Sequence, residues 1–404
     1  MFQRKTYVVG CSILIILISM GTRQTFGIYL QPVTNELGIG RELFSLAIAI
    51  QSIIGGLPLA GMLSDRYGSR WVAIGGGLLF AVSMYLMSIT THGTGLMLGF
   101  GLLSGLALSC VSYVVVLGAV VQVVPPERRS RTFGFITAAG SVGMFVVVPV
   151  AQYILNAFGW RATFATFAGV VGLIALLAVG YPTRKQPAAS GDPTDMPSDS
   201  LTEVLAKASH HSGYWLLTIG FFVCGFHVSY VASHLPAYLT DNGLSSTAGA
   251  TALSLVGLFN LFGSTLFGYL GDHYRKKYLL SGLYFGRSII ISLFLIFPVT
   301  ETTAMVFGAA IGFLWLATVP LTSGTVAQIF GPRYLATLYG IVFFSHQVGS
   351  FLGVWLGGRI YDATGMYTPV WIIAIILGVL ASVVHLPIAD RPVYPLRATG
   401  AAVR

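Results

Sequence analysis

Two arginines lie inside long apolar stretches of this sequence, and their charge raises the first question about its chemistry. Arg23 lies in the stretch that begins after Lys5, and Arg287 lies in the stretch that begins after Tyr278. All 13 Asp and Glu residues fall in polar segments or at the ends of apolar stretches. Burying an unpaired cation among apolar side chains is costly. Two such cations without a nearby carboxylate predict an anionic ligand.

Histidine, tyrosine and amide side chains in the same stretches offer proton transfer and hydrogen bonding. His227 and Tyr230 share one face of a helix, because residues three apart are neighbours on a helical surface. Histidine changes its charge near neutral pH, so His227 and His346 are candidate proton carriers. The candidate ligand-binding residues are Arg23, Tyr113, His227, Tyr230, Asn260, Arg287, His346 and Gln347.

The composition indicates that this chain lies in a lipid bilayer and not in water. Hydrophobic residues make up 55% of the 404 residues, charged residues make up 9%, and the mean hydropathy is +0.80. A soluble domain carries roughly 25% charged residues, so this chain has too little charge to cover a surface in water. Apolar stretches of about 20 residues recur along it, and each is long enough to cross a bilayer as a helix. The fold class predicted is therefore an all-α integral membrane protein.

Breaks in hydropathy predict twelve transmembrane helices in two sets of six. The first set is 7–30, 42–63, 71–90, 96–124, 132–157 and 162–181, and the second is 212–239, 247–270, 279–298, 302–330, 334–361 and 367–388. A polar stretch rich in Pro, Ser and Asp separates the sets. We therefore expect a first half at 1–181, a cytoplasmic linker at 182–211, and a second half with a short tail at 212–404.

The two arginines differ in their predicted depth in the membrane, but depth alone does not decide which of them contacts a ligand. At 1.5 Å per residue, Arg23 lies about 24 Å beyond Tyr7, and Arg287 lies about 14 Å beyond Tyr278. Arg23 could contact a ligand or extend to the far membrane–water boundary. Arg287 could contact a ligand or bond to carbonyls of a neighbouring helix. The histidines and amides have a similar alternative, as hydrogen-bonded packing residues between helices.

Lys and Arg residues are concentrated on one side of the predicted membrane. If both termini lie on that side, it holds 17 of the 22 Lys and Arg residues, and the opposite side holds Arg41, Arg161 and Arg359. Cytoplasmic loops carry such an excess, so we expect both termini in the cytoplasm. The net charge of +9 arises from these short loops beside the lipid bilayer and requires no nucleic-acid partner.

The two sets of helices repeat each other. Gly61 and Asp65 recur 207 residues later as Gly268 and Asp272. Three more glycines recur at an offset of 206, pairing 134 with 340, 143 with 349, and 159 with 365. Halves that repeat in this way are typical of transporters, whose substrate site lies between the halves near the middle of the membrane.

The segment between helices 2 and 3 carries a family pattern. Residues 61–70 read GMLSDRYGSR, which resembles the loop motif G-x-x-x-D-R-x-G-x-R of the major facilitator superfamily. Its second-half counterpart keeps Gly268 and Asp272. The resemblance implies the major facilitator fold, and a loop whose charges hold one conformation closed. The residues of this gating loop are Gly61, Asp65, Arg66, Gly68 and Arg70, with Asp272 in the second half.

Helix 5 and the turn after it resemble one particular group within this superfamily. The segments 138–143 (AAGSVG) and 159–164 (GWRATF), with Pro149 and Gln152, are similar to the monocarboxylate-porter group, which includes the oxalate/formate antiporter and the animal monocarboxylate transporters. This implies transport of small carboxylates, often with a proton. In that group helix 8 commonly carries an Asp and an Arg, and here Asn260 and Ser264 stand at the matching positions. That departure allows a different substrate.

The function predicted is therefore alternating-access transport of a small organic anion, such as a monocarboxylate, with proton coupling left open. Efflux of an amphipathic metabolite or drug is the alternative. A membrane enzyme is disfavoured because no cluster of catalytic residues appears, and a sensor because no signalling domain does. We expect no cofactor, no metal site and no direct use of ATP. The expected setting is a prokaryotic plasma membrane, with a monomer sufficient for transport.

Overall fold

Helices make up all the regular structure that a computed structural model gives for residues 2–57, 59–183, 200–331 and 333–393. In the first half, helix 1 is Phe2–Gln24 continued by Phe26–Tyr29 and Leu30–Leu37, helix 2 is Arg41–Gly56 with Leu59–Tyr67, and helix 3 is Ser69–Ser88. Helix 4 comprises Gly93–Leu96, Met97–Leu103, Ser104–Cys110 and Tyr113–Val121, and helices 5 and 6 together form Pro126–Ala178.

The second half repeats this order. Helices 7, 8 and 9 are Ser212–Asp241, Ser246–His273 and Lys276–Ile296. Helix 10 comprises Glu301–Phe313 and Thr318–Phe330, and helices 11 and 12 are Leu335–Thr364 and Thr368–His385.

The number of membrane spans agrees with the sequence. Within the described residues, ten helices are long and apolar enough to cross a bilayer, and the bent pair that forms helix 2 makes an eleventh. One of the ten covers 47 residues, and it is interrupted at Gly159, whose φ of 78° is not helical. It therefore contains two spans, helices 5 and 6. The prediction of twelve transmembrane helices in two halves is confirmed.

Helices 4 and 10 depart from the prediction, which treated 96–124 and 302–330 as continuous. Helix 4 breaks at Val111 and Ser112, and helix 10 breaks over residues 314–317. These positions correspond in the two halves. Broken helices in corresponding positions of two repeats are a good structural indicator of a transporter's binding site.

Glycines that recur in the sequence have equivalent places in the two halves. On helix 5, Gly143 lies against the backbone of Leu17 and Gly21 on helix 1. On helix 11, Gly349 lies against the backbone of Phe222 and Phe226 on helix 7. A side chain at either glycine would overlap a backbone carbonyl, so glycine permits the close helix contact. The glycines that repeat at an offset of 206 in the sequence therefore make equivalent helix–helix contacts in the two halves.

Part of the predicted linker is helical. Leu201–His210 begins at Ser200 with a capping box, in which Ser200 and Glu203 satisfy each other's backbone N–H groups. Residues 184–199 of the predicted linker, and the predicted tail beyond residue 393, lie outside the described residues. We call the end of the bundle that carries Leu201–His210 the linker end, and the opposite end the far end.

We predict that Gly349→Ala destabilises the protein by about 1–3 kcal/mol, because the new methyl group would overlap the Phe222 carbonyl. The measurement is the thermal unfolding temperature of the detergent-purified protein. Gly340→Ala is the matched control on the same helix, because nothing lies within 4 Å of its new methyl group. Equal unfolding temperatures for the two variants would contradict the packing argument.

Candidate functional site

An ionic cluster joins the two halves at the far end. Arg41 on helix 2 donates two hydrogen bonds to Asp241 on helix 7, at 2.6 and 2.9 Å. Beside it, Arg359 on helix 11 donates to Glu42 at 2.9 Å. The Arg41 and Asp241 side chains are 12% and 25% exposed, so water screens this pair only in part. Paired guanidinium–carboxylate bonds are among the stronger polar contacts in proteins.

Asp362 adds a contact to the backbone of the other half. Its two carboxylate oxygens accept hydrogen bonds from the backbone N–H groups of Arg41 and Glu42, at 3.0 and 2.8 Å. Those N–H groups open helix 2 and have no partner within it. A carboxylate at a helix N-terminus is also favoured by the helix dipole. A residue of helix 11 therefore caps helix 2. We call Arg41, Glu42, Asp241, Arg359 and Asp362 the far-end clasp.

Hydrogen bonds connect the clasp to Tyr367 and His234, which lie farther inside the second half. Arg41 donates to the Tyr367 hydroxyl at 3.0 Å. His234 Nε2 lies 2.8 Å from the Val354 carbonyl, so this nitrogen carries the hydrogen. His234 Nδ1 is then an acceptor, and the Tyr367 hydroxyl donates to it at 3.2 Å. The hydrogen-bonded chain from Asp241 therefore ends on a backbone carbonyl of helix 11.

A cavity of about 370 Å³ lies at the far end beside the clasp. Amide side chains line it, including Gln31, Gln152 and Asn156. Its one carboxylate, Glu36, accepts hydrogen bonds from Trp160 and from Arg161. Because its charge is already paired, this cavity offers no group that would attract an organic anion.

Hydrogen bonds between the halves also occur at mid-depth. Gln347 on helix 11 donates to the Ser52 carbonyl on helix 2 at 2.6 Å. Asn260 on helix 8 donates to Ser141 on helix 5 at 2.7 Å. Among the described residues, the hydrogen bonds that cross between the halves lie at mid-depth or at the far end, and none lies at the linker end. The structure is therefore closed at the far end.

The predicted gating loop lies at the linker end. Gly68 adopts a φ of 88° at the start of helix 3, a conformation that favours glycine. Asp65, Arg66 and, in the second half, Asp272 are exposed. Gly61 packs beside Val114 of helix 4. Arg70 is half-buried, and its Nε has no hydrogen-bond partner among the described residues. Residues 61–70 thus span the end of helix 2 and the start of helix 3, and Asp272 lies near the end of helix 8.

The break in helix 4 lies beside Arg23. Tyr113 is the first residue after the break, and Ser112, at the cap position, provides no side-chain hydrogen bond to the helix that follows. Arg23, on helix 1, is half-buried and interacts electrostatically with Tyr113. Its guanidinium forms no hydrogen bond with any described residue. The Tyr113 hydroxyl lies against Gly140 and is 3.4 Å from the Thr137 carbonyl. An arginine without a hydrogen-bond partner among the described residues therefore lies beside the tyrosine that begins the second part of helix 4.

The break in helix 10 is held by Asn260 and Arg287. Asn260 accepts a hydrogen bond from the Leu316 N–H at 3.0 Å. Arg287, which is 1% exposed, donates two hydrogen bonds to the Leu314 carbonyl at 2.6 and 3.2 Å and another to the Trp315 carbonyl. These carbonyls lack helical partners because helix 10 stops there. Both side chains therefore form hydrogen bonds with backbone groups that have no helical partner at the break in helix 10.

The remaining predicted site residues lie in the interior of the second half. His227 is 1% exposed, and its Nε2 is 2.7 Å from the Ala374 carbonyl on helix 12. Tyr230 is fully buried and packs edge-on against Trp371, with ring centroids 4.7 Å apart. His346 Nδ1 lies 3.1 Å from the Gln347 amide oxygen. The structure thus brings Arg23 and Tyr113 together, and it places the other candidates in the second half or between the halves.

The sequence matches the Major Facilitator Superfamily over residues 12–353, and again over 217–402. The chain belongs to the Major Facilitator Superfamily. Transporters of this superfamily carry small molecules, so the protein is a transporter that spans the membrane several times, as its helices indicate.

Other members of the superfamily resemble the chain over most of its length. Monocarboxylate transporter 13 of Rattus norvegicus is 29% identical over 334 residues, which are 82% of this chain and 75% of that protein. An uncharacterized transporter of Bacillus subtilis, YcxA, is 24% identical over 387 residues, 91% of each chain. Monocarboxylate transporter 12-B of Danio rerio is 25% identical over 344 residues, 77% of this chain and 71% of that protein.

Solved structures of the superfamily share the fold. A bacterial homologue of the human lysosomal transporter Spinster, inward-facing and occupied, superposes with a TM-score of 0.77, covers 96% of this chain and 98% of its own, and is 16% identical. A D-xylose–proton symporter superposes with a TM-score of 0.72, covering 95% and 97%, at 17% identity. At these identities the likeness concerns the fold alone.

Sequence reasoning missed the far-end clasp of this superfamily member, although a signal was present. Arg41, Arg161 and Arg359 are the three basic residues on the side of the membrane opposite the basic loops. Each forms an ion pair, with Asp241, Glu36 and Glu42 respectively. Charges are so sparse at that end that the pairing of these arginines with carboxylates could have been predicted. Their individual partners could not have been predicted, because two of the three pairs join different halves.

We predict that Asp241→Asn weakens far-end closure, because Arg41 loses its ionic partner. The reporter is a Ser45→Cys variant in which the three native cysteines are replaced, because Ser45 is fully buried against Gly358 of the other half. Alkylation of this cysteine should be at least ~5-fold faster in Asp241→Asn, as expected for a partly exposed ion pair.

Ser83→Cys in the same cysteine-free protein is the control for general loosening. Ser83 is also fully buried, but it bonds to the Gly99 carbonyl within the first half. Its alkylation should not change in Asp241→Asn. Equal acceleration at both positions would mean that the substitution unfolds the protein, and no acceleration at Ser45→Cys would contradict the role of the clasp.

Proposed function

We propose that this protein is a secondary transporter of a small monocarboxylate, which binds at Arg23 and at the break in helix 4. The observation that carries the proposal is a cation that has no hydrogen-bond partner among the described residues and that interacts with Tyr113, the first residue of a helix whose N-terminus has no side-chain cap. A carboxylate is complementary to both, because it is anionic and accepts several hydrogen bonds at once.

The helix that starts at Tyr113 provides the backbone part of this site. Its first N–H groups have no acceptor within the helix, and they carry the positive end of the helix dipole. In transporters, N-termini of broken helices point at anionic groups of the substrate. The Tyr113 hydroxyl, close to helix 1 and helix 5, is a further donor. One carboxylate would therefore contact helices 1 and 4 together.

The absence of the usual charged residue at position 260 of helix 8 is consistent with a substrate site on helices 1 and 4. Asn260 stands where related carboxylate porters commonly carry a charged residue, and here it bonds to Ser141 and to the Leu316 N–H. Both ends of its amide are used for packing, so helix 8 has no free group for a substrate at this position. Arg23 on helix 1 supplies the cation instead. The monocarboxylate transporters among the similar proteins support the same substrate class.

Orientation follows from the basic loops. We infer that the linker end faces the cytoplasm of a plasma membrane, because the sequence predicts 17 of the 22 Lys and Arg residues for that side of the membrane. The structure, closed at the far end, is then the inward-facing conformation. Opening of the far-end clasp and closure of the gating loop would expose the site to the other side. A single bundle suffices for this cycle, so we expect a functional monomer.

We predict that Arg23→Gln lowers carboxylate uptake at least ~10-fold, because a charge-assisted hydrogen bond contributes about 1.5–3 kcal/mol. The measurement is initial uptake of radiolabelled lactate, pyruvate and oxalate into proteoliposomes. Arg23→Lys should keep part of the activity, because it keeps the charge, and Tyr113→Phe should lower uptake less than Arg23→Gln does.

Leu98→Ala is the control, because its side chain, earlier on the same helix 4, is 59% exposed. Saturable uptake that Arg23→Gln leaves unchanged would contradict the proposed site. Absence of uptake for every carboxylate, together with counterflow of a neutral amphipathic compound, would contradict the substrate class and would favour efflux as the function.

A further inference from the structure

His234 lies on helix 7 next to the far-end clasp, and both of its ring nitrogens are engaged. The side chain is fully buried. Its Nε2 donates to the Val354 carbonyl at 2.8 Å, so Nδ1 of the neutral ring accepts the hydrogen bond from the Tyr367 hydroxyl at 3.2 Å. Helix 11 closes over the ring, because a methyl group at Gly357 would overlap it. The hydrogen-bonding capacity of the neutral histidine is therefore fully used.

The Tyr367 hydroxyl joins this histidine to the clasp. Its oxygen accepts a hydrogen bond from Arg41 Nη1 at 3.0 Å, and its hydrogen points to His234 Nδ1. Arg41 begins helix 2 of the first half, whereas His234 and Tyr367 belong to the second half. One hydroxyl group therefore connects the two halves, and its orientation is fixed by a donor on one side and an acceptor on the other.

A protonated His234 does not fit this arrangement. A hydrogen on Nδ1 would face the hydrogen of the Tyr367 hydroxyl. If the hydroxyl turned, its oxygen would have to accept from two cations at once, Arg41 and the imidazolium, and its own hydrogen would lose its acceptor. A second positive charge beside Arg41 in a buried site is also unfavourable.

The titratable side chains that face His234 provide no negative charge. Those of helix 7, of helix 11 and of the start of helix 12 are tyrosines, which are neutral near pH 7. They are Tyr230, Tyr238, Tyr361 and Tyr367. The end of helix 1 meets helix 7 at Gly27, which does not titrate. Helix 2 contributes Arg41, which shares the Tyr367 hydroxyl with the histidine.

The carboxylates that bond to Arg41 are already used. Asp241 pairs with its guanidinium, and Asp362 accepts a hydrogen bond from its backbone N–H. The charged group that shares a hydrogen-bond partner with His234 is therefore a cation. Its charge opposes protonation of the histidine as long as the clasp is closed.

We propose that His234 is a proton-binding site that controls the far-end clasp. The closed clasp holds the neutral histidine, and the open clasp admits a proton from water on the far side, which forms an N–H bond at Nδ1. The hydrogen bond from Tyr367 is lost, one positive charge is gained, and no other covalent bond forms or breaks. Proton binding and closure of the far end therefore exclude each other, whatever the substrate is.

The direction of the pH effect follows from this exclusion. A histidine exposed to water has a pKa of about 6.5. Closure of the far end is therefore fully favoured above that pH, and it is lost progressively as the pH falls below it. Between pH 7.5 and 5.5 the open population should rise by at least ~3-fold, with about 10-fold as the limit for one histidine. Acid on the far side thus opens the transporter toward that side.

The first test compares the Ser45→Cys and Ser83→Cys reporters in the cysteine-free protein at pH 7.5 and pH 5.5. Both side chains are fully buried. Each cysteine therefore reacts from an opened state, and titration of the thiol itself cancels in the ratio of the two alkylation rates. The rate of Ser45→Cys relative to that of Ser83→Cys should rise at least ~3-fold at pH 5.5. A constant ratio would overturn the proposal without any histidine variant.

The second test assigns the effect to His234. His234→Gln keeps an N–H donor for the Val354 carbonyl, His234→Asn keeps an acceptor for Tyr367, and neither takes up a proton, so both should lose the pH dependence. His92→Gln is the matched control and should keep it, because His92 is exposed at the same end of the bundle.

The Ser83→Cys rate at pH 7.5 reports whether each variant is folded. Full pH dependence in a folded His234 variant, or its loss in His92→Gln, would overturn the assignment to His234. Alkylation requires no substrate, so these outcomes are independent of the carboxylate site proposed at Arg23.

Discussion

The cost of holding charge inside the membrane governs the arrangement of this protein. Its carboxylates lie at helix ends or outside the spans, where they form the ion pairs and the helix cap of the far end. Arg287, deep in the second half, has its hydrogen bonds taken up by the broken helix 10 and by Cys224. Arg23 has no such hydrogen bonds among the described residues. A charge left uncompensated at that cost is the basis on which we propose an anion site there.

Contacts of two kinds connect this site to the conformation of the whole bundle. Within each half, glycines such as Gly143 and Gly349 allow helices to touch along their backbones. Between the halves, side-chain hydrogen bonds lie at the far end and at mid-depth, as from Arg41 to Asp241 and from Gln347 to Ser52. The far-end clasp joins side chains of helix 11 to the first N–H groups of helix 2, and it can open without unfolding either helix.

Much of the fold could be predicted from the sequence, because the twelve spans follow from hydropathy and the repeat follows from recurring glycines. The breaks in helices 4 and 10 could not be predicted. Residues 111–112 (VS) and 314–317 (LWLA) contain neither proline nor glycine. Distant partners, Asn260 and Arg287, hold the break in helix 10. Sequence reasoning also found both arginines but could not separate them, since the difference lies in what each contacts.

Equilibrium binding of a carboxylate and of its methyl ester to the detergent-purified protein tests the central claim most directly. Pyruvate and methyl pyruvate differ in charge and differ little in shape. If Arg23 and the helix N-terminus at Tyr113 form the anion site, pyruvate should bind at least ~10-fold more tightly than the ester, a difference of about 1.4 kcal/mol. Equal affinities, or tighter binding of the ester, would contradict the account.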